Sequence, residues 1–397
     1  MRPKPRRMLP AVLALIGLVA FTTLGHAQSV TTGAAGGTIT DQSGMPLANA
    51  SVVFTYESTG FRVSGITNDR GIFSLQGLQP GVYSVQVSLI GYRTETREGV
   101  TVGLGQSTRH DASLEQTAVE LEPLVVQADQ MSAEFSPART GTATTINEEQ
   151  LRDLPTLDRR FTDLAKLTPQ IVATDANAGL GLSVVGQNNR YNTIQIDGST
   201  VNDRFGLGAT GAAGGQANGK PIGYDAVKEY QVLLSPYDVR QGNFTGALIN
   251  AVTKSGGNEF FGSAFGYYRD NGLAGDPLSD SEFENWQYGG SIGGPIARDK
   301  AFFFANGEFQ SASTPATGPY IGAPSSISGV RPDQGDIDAM NTVLATYGMQ
   351  AGTGAAVSND NPLMNLTFRA DWGMGDNHRM VFRNTYYTAE LGVFSRT

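Results

Sequence analysis

From Phe261 onward the chain alternates apolar and polar side chains over segments of strand length. Phe261, Phe265 and Tyr267 alternate with Gly262, Ala264 and Gly266, and Trp286, Tyr288 and Ile292 alternate with Gln287, Gly289, Ser291 and Gly293. The cleanest case sets Leu366, Phe368, Ala370 and Trp372 against Asn365, Thr367, Arg369 and Asp371, and Met380 and Phe382 against Arg379 and Arg383 suggest one more strand. A period of two gives one apolar and one polar face. Strands that cross a bilayer run about 9–11 residues with this pattern. About five such strands fit before Thr397. Asp299-Lys300 lies in a short turn between two of them, whereas Gln310 to Asn361 is long, polar and rich in Gly, Ser and Pro, as a loop on the far side would be. A soluble β-sandwich with aromatic-rich strands is the competing reading.

Upstream the periods are shorter and mixed. Tyr83, Val85, Val87 and Leu89 alternate with Ser84, Gln86 and Ser88, and strong turns stand at Asp41-Gln42-Ser43-Gly44, Asn68-Asp69-Arg70-Gly71 and Gln79-Pro80-Gly81. Residues 37–117, after a Gly/Ala/Thr-rich lead, therefore read as a small antiparallel sandwich. Asn147 followed by Gln150 is a helix start, with Leu151 and Leu154 on one face before Pro155. Leu157, Phe161, Leu164 and Leu167 continue at helical spacing. Tyr191 to Gly198 is a strand entering a turn, and Gly206 to Gly219 is a glycine- and alanine-rich loop, mobile by composition. That loop lacks the Gly-Lys-Ser/Thr ending of a phosphate cradle, since Pro221 follows Gly219-Lys220. The fold class is mainly β: a small N-terminal sandwich, a mixed α/β domain, and the first strands of an antiparallel transmembrane barrel.

Composition agrees and narrows the chemistry. Glycine makes up 50 of 397 residues, which suits tight turns and β structure. Arg2, Lys4, Arg6 and Arg7 precede an apolar run from Met8 to Phe21 and the small-residue end Gly25-His26-Ala27, the pattern of a cleaved secretory signal over residues 1–27 with cleavage at Ala27. Loss of that segment leaves 24 basic against 37 acidic residues, a net charge of −13 that argues against nucleic-acid binding. With no cysteine there are no disulfides, no thiolate nucleophile and no Cys-bound zinc. After cleavage only His110 and His378 remain, with no HExxH arrangement and no Gly-x-Ser-x-Gly elbow. Catalytic, cofactor-binding and metal residues are accordingly expected to be none, and the chain is not expected to be an enzyme.

Four regions carry family resemblances. Gly37-Thr38-Ile39-Thr40-Asp41, Pro46-Leu47 and Thr67 to Phe73 resemble the carboxypeptidase-regulatory-like domain, which implies a carbohydrate-binding-like sandwich without catalysis of its own. Tyr224 to Val232, Ser235-Pro236-Tyr237-Asp238, and Thr245-Gly246-Ala247 through Asn250, Thr253, Lys254 and Phe260, together with Asp197-Gly198, resemble the plug of Oar-like TonB-dependent outer-membrane receptors. In that resemblance two plug strands joined by a proline turn lead into the first barrel strand. The side chains of Lys228, Glu229 and Lys254 read as simply solvated. Leu124-Val125-Val126-Gln127, in a linker over 118–134, resembles the TonB box, which a periplasmic energy transducer grips by strand addition. A last strand of the preceding sandwich is the alternative for those four residues. Gly293-Gly294-Pro295-Ile296 and Ala301 to Glu308 resemble the periplasmic hairpin between barrel strands two and three.

The resemblance implies a plug over 135–257, barrel strands over 258–397, and an outer-membrane receptor in a Gram-negative-type bacterium. Its implied partners are a TonB-type transducer, outer-membrane lipid, and an extracellular ligand that is a sugar, a peptide or a metal chelate. The alternative function is a surface or adhesion protein, or an export conduit, built on the same barrel without active import. Because the family's barrel has more strands, the chain is expected to be a fragment that forms no stable pore by itself.

Overall fold

The computed structural model describes residues 31–116, 124–127, 143–154, 156, 159–160, 163–164, 167–174, 181–206, 208, 210–234, 242, 244–273, 283–316, 320–321, 333–350, 354–374 and 378–394. The expected signal segment, with Ala27, and the motif residues Ser235, Pro236, Tyr237 and Asp238 lie outside them.

The first unit is the sandwich: β1 (Gly33–Asp41), β2 (Ser51–Tyr56), β3 (Arg62–Ile66), β4 (Ile72–Leu78), β5 (Gly81–Ser88), β6 (Glu95–Val102), β7 (Ser107–Arg109) and β8 (Ala112–Leu114). Tyr83, Val85 and Val87 turn inward from β5, as their alternation requires, onto Phe54, Phe73, Leu75 and Leu78. One sheet runs β4-β1-β7 with β8 also on β1, and the other runs β3-β2-β5-β6 and ends on β9 (Leu124–Gln127). The antiparallel expectation needs correcting, because β1 pairs parallel with β7 and β8, and β6 parallel with β9. The chain crosses from one sheet to the other after β6, so β7 arrives running with β1. The Gly/Ala lead also contributes more than a leader, since β1 begins inside it at Gly33. His110 is part of this core: its ring stands edge-on to Phe54, and burial lowers its pKa to about 4, which keeps it neutral.

The second unit contains β10 (Ala143–Ile146), α1 (Glu148–Asp153), β11 (Ile171–Thr174), β12 (Gly181–Val184), β13 (Thr193–Ile196), β14 (Ser199–Thr200), β15 (Val227–Leu233) and β16 (Leu248–Thr253). Asn147 caps α1 through a reciprocal box with Gln150, as their spacing predicts. Most residues of the second expected helix fall outside the described set. The main sheet has the order β10-β15-β16-β13-β14, and β11 and β12 form a hairpin. β15 and β16, the two motif strands, are its antiparallel centre. Both are buried along nearly their whole length, yet only β16 is a near-continuous apolar run; β15 carries Lys228, Glu229 and Gln231 among its apolar residues.

The third unit is a meander of long antiparallel strands: β17 (Phe261–Asp270), β18 (Glu284–Ala297), β19 (Ala301–Pro315), β20 (Ser358–Gly373) and β21 (Arg379–Ala389), in that spatial order. Its faces are inverted relative to a water-soluble sheet. Trp286, Tyr288, Leu366, Phe368, Trp372, Phe382 and Tyr386 are exposed on one side, whereas Gln287, Asn306, Glu308, Gln310, Asn365, Thr367, Arg369 and Asp371 are buried on the other. An apolar outside and a polar inside is the pattern of a transmembrane barrel wall, here an open run of five strands among the described residues. No described helix is long and apolar enough to cross a membrane. The loop between β19 and β20 is shorter than expected, because the strands reach Pro315 and start again at Ser358. It also carries α2 (Gln334–Ala345), capped by Asp333, which the polar composition concealed.

Candidate functional site

The polar inner face of the wall is where the second unit sits, and its contacts form two clusters. In the first, the Lys220 ammonium lies 3.1 Å from Glu308 Oε1, with both side chains almost wholly buried. Gln287 Nε2 donates to the same oxygen at 2.9 Å, the Tyr224 amide donates to Glu308 Oε2 at 3.2 Å, and Asn365 Nδ2 donates to the Lys220 carbonyl at 2.8 Å. One carboxylate on β19 thus gathers donors from β18 and from the segment leading into β15, while β20 holds that segment through the Lys220 carbonyl. Burying such a pair is tolerable only because the remaining lone pairs are met as well.

The second cluster joins the ends of β13 and β16 to the wall. Asp197, at φ 44° in a tight turn completed by Gly198, accepts the Thr253 amide at 2.8 Å and the Thr253 hydroxyl at 2.6 Å. Arg369 on β20 donates through Nη1 to the Thr253 carbonyl and hydroxyl, both at 2.9 Å, and forks onto Asp371 at 2.8 and 2.9 Å. Arg383 reaches Asp197 at 3.4 Å, and Arg379 pairs with Asp371. Asp197 and Thr253, 56 positions apart in sequence, therefore act as one acceptor pair for the wall's arginines. The sequence motif marked both residues and gave no sign of what they face. Arg369 appeared only as one polar step in an alternating strand.

The other motif residues have packing roles. Gly246 lies where a Cβ would run into the Asn192 amide oxygen, which itself accepts the Ala247 amide at 3.0 Å. Asn250 is buried inside β16. Lys254 is not simply solvated: its ammonium stands 3.0 Å from Glu148 at the start of α1. At Gly256 a Cβ would collide with the Phe303 and Gly294 backbones, so the chain lies this close to the paired strands β18 and β19 only as glycine. Arg159, which the sequence did not single out, pairs with Asp225 and lies 4.0 Å over the Phe265 ring of β17. The Gly206–Gly219 loop, expected to be mobile, is tied down where it is described. Ala212 is fully buried, Tyr387 donates to the Ala213 carbonyl at 3.1 Å, and Asn218 and Asn361 are bonded at 3.2 Å.

Lys228 and Glu229 also depart from the solvated expectation, because the sandwich covers them. Glu229 Oε1 accepts the Leu104 amide at 3.0 Å, and Gln231 Nε2 donates to the Leu104 carbonyl at 2.9 Å. Lys228 donates to the Tyr56 hydroxyl, and to the Pro80 carbonyl at 2.6 Å. Burial pushes the Glu229 carboxyl up to about 7, against the opposing pull of the Leu104 amide and the Lys228 charge. The backbone of Leu124–Gln127 pairs parallel with Glu95–Glu98 of β6, which makes it the edge strand of the sandwich sheet. Among the described residues no group of three His, Asp or Glu side chains is placed to hold a metal ion. The arrangement as a whole is one of holding: charged and amide groups pin one unit against the inside of another.

Residues 23–115 match the family described as carboxypeptidase regulatory-like domain, and residues 252–357 match the family described as outer membrane beta barrel domain. The chain is 26% identical over 290 residues to the TonB-dependent transporter Oar of Myxococcus xanthus, covering 68% of this chain and 26% of that protein. It thus spans about a quarter of the length of this curated relative. Among solved structures, the siderophore receptor PirA from Acinetobacter baumannii is similar at 17% identity and a TM-score of 0.45, over 64% of this chain and 32% of that one. The ferric enterobactin receptor PfeA of Pseudomonas aeruginosa is similar at 16% identity and a TM-score of 0.44, over 62% and 33%. The resemblance to Oar-like TonB-dependent outer-membrane receptors stands, and these relatives are transporters and receptors rather than enzymes.

Removing one member of a buried ion pair strands the other, at a cost of roughly 3–5 kcal/mol, whereas replacing both by apolar groups is often close to neutral. Glu308→Ala in the full-length protein is expected to lower hydrogen-exchange protection of β15 and β16 by about that free energy, and Lys220→Met with Glu308→Leu to restore most of it. A raised carboxyl pKa stabilises the docked sandwich fully below the ordinary glutamate value of about 4.3, and that contribution is lost as pH rises through about 7. The Leu104 amide, corrected for its intrinsic exchange rate, should be better protected near pH 5 than near pH 8. In Glu229→Gln the difference should disappear.

Proposed function

We propose that this chain is the N-terminal part of an energised outer-membrane transporter. Residues 1–27 direct export and are removed, the strands from 258 onward form one stretch of the barrel wall, and residues 135–257 close its lumen. A ligand bound on the outside and a pull from the periplasm together release the closure. The observation that carries this reading is the inverted wall: its buried polar face is met by the Lys220, Tyr224, Asp197 and Thr253 groups of a separate unit, and not by a core of its own. A structural sheet would have no reason to keep one face polar and then fill it with another domain. The likeness to the TonB-dependent transporter Oar supports the same conclusion.

In this reading a TonB-type transducer grips Leu124, Val125, Val126 and Gln127 by backbone pairing. Strand addition depends on main-chain groups more than on side chains, so a short β-branched segment suffices. The ligand is an extracellular solute of the sugar, peptide or metal-chelate classes, and outer-membrane lipid surrounds the aromatic exterior. Deleting Leu124–Gln127 from the full-length receptor should abolish co-purification of the transducer from outer membranes while leaving the receptor inserted and resistant to extraction. Transducer recovery at the undeleted level would reject the assignment of these residues as the box.

A further inference from the structure

Two contacts of the sandwich sheet lie at opposite ends of β6. At one end, Glu95 to Glu98 pair with Leu124 to Gln127 of β9. At the other, Val102 pairs with Gly81 of β5, and the residues just beyond each, Leu104 and Pro80, are those that Glu229, Gln231 and Lys228 of β15 hold. Tyr56, opposite Tyr83 in the same sheet, takes the second bond from Lys228. Ser58, two residues past Tyr56, accepts the Asn258 amide at 2.9 Å, at the joint where the plug passes into β17. The sheet therefore spans, without a break, from the strand assigned as the box to β15 of the plug.

A covalent route also exists, since residues 128–142 connect β9 to β10. Fifteen residues have a contour of up to about 50 Å. At any separation of Gln127 and Ala143 short of that contour, a load on β9 falls first on the hydrogen-bonded route through β6.

We propose that a load applied at residues 124–127 enters the plug through the sandwich, along β9, β6 and Leu104 into β15, so that the sandwich leaves the plug face before the plug itself moves. The sandwich is then a coupling element as well as an appended domain. The direction of β6 matters here. Because β9 lies along it in a four-residue ladder, a pull along the strand axis is a shear that loads all four paired residues together.

This proposal rests on residues 124–127 being the point of pull, and its test applies the load without the transducer, so that the two can fail separately. A Cβ built on Gly257 lies 3.8 Å from the Ser58 Cβ, the mean separation in a disulfide, and 2.9 Å from the Ser58 carbonyl oxygen, so the backbone at the joint must shift to accept the bridge. Ser58→Cys with Gly257→Cys in this cysteine-free stretch would lock the sandwich to the joint. With a handle inserted after Gln127, full-length receptor in a supported bilayer is pulled by force spectroscopy in oxidised and in reduced form. The first rupture should be absent from the oxidised protein and return on reduction. Identical force curves for the two forms would overturn the proposal, even where the transducer binds residues 124–127. Lys228→Ala with Gln231→Ala, which leaves the joint untouched, should lower the force of the first rupture severalfold. An unchanged force in that variant would overturn the proposal equally.

Discussion

A membrane-spanning sheet that keeps its apolar side chains for lipid must turn its polar side chains inward, and those groups then need partners. Along β18, β19 and β20 the inward residues include Gln287, Asn306, Glu308, Asn365, Arg369 and Asp371, nearly all inaccessible to solvent. A water-filled lumen would satisfy them with solvent, but here Glu308, Asn365 and Arg369 bond to another part of the same chain, while Gln287, Asn306 and Asp371 bond within the wall. The form of the plug follows from that demand. Where it meets the wall it presents backbone carbonyls and amides, the Lys220 ammonium, the Asp197 carboxylate, the Thr253 hydroxyl, the Asn218 amide and the Arg159 guanidinium, and it keeps most of its apolar residues for its own core. Phe304 is the exception, an aromatic of the wall buried in the plug's core.

An interface of this kind differs in energy from an apolar core. A buried polar pair contributes little net, because its members give up water to meet each other, and when water enters the contact they recover most of that hydration. Opening such a face is therefore cheaper than opening the Phe54 and Tyr83 core of the sandwich, where apolar area would be exposed at about 25 cal/mol per Å². The plug is held by contacts that specify its position closely and yield when solvated. At Gly256 the constraint is steric instead: the chain lies directly against the paired Gly294 and Phe303 backbones of β18 and β19, which fixes that part of the plug to the wall.

Much of this organisation was legible in the sequence because it is periodic or local. The alternation in β20 announced an inward Arg369 and an outward Trp372, the Asn147 and Gln150 pair announced the cap of α1, and the turn glycines marked the sandwich. Asp197 and Thr253 stood out as motif positions, though their union with Arg369 depends on three segments far apart in the chain. The errors share a cause. Lys228, Glu229 and Lys254 carry charge, and a single sequence shows charge without showing what lies over it. The sandwich covers the first two, and Glu148 of α1 meets the third. The loop from Gly206 to Gly219 was misread for the same reason, since glycine and alanine permit either mobility or close packing, and the wall residues Tyr387 and Asn361 decide for packing. α2 was hidden by a polar stretch in which none of its residues becomes buried.

β15 brings these contacts together. Its Val227, Tyr230 and Val232 lie in the plug's core, while Lys228, Glu229 and Gln231 reach into the sandwich. The segment just before it, from Lys220 to Tyr224, holds Glu308 of the wall. A displacement of β15 would therefore be felt by the wall cluster and by the sandwich at once, and neither contact can be lost without unloading the strand that carries the other. The polar residues of a strand otherwise built for burial are thus the positions at which the three units meet, and alternation within a single strand is enough to place a core on one side and a separable contact on the other.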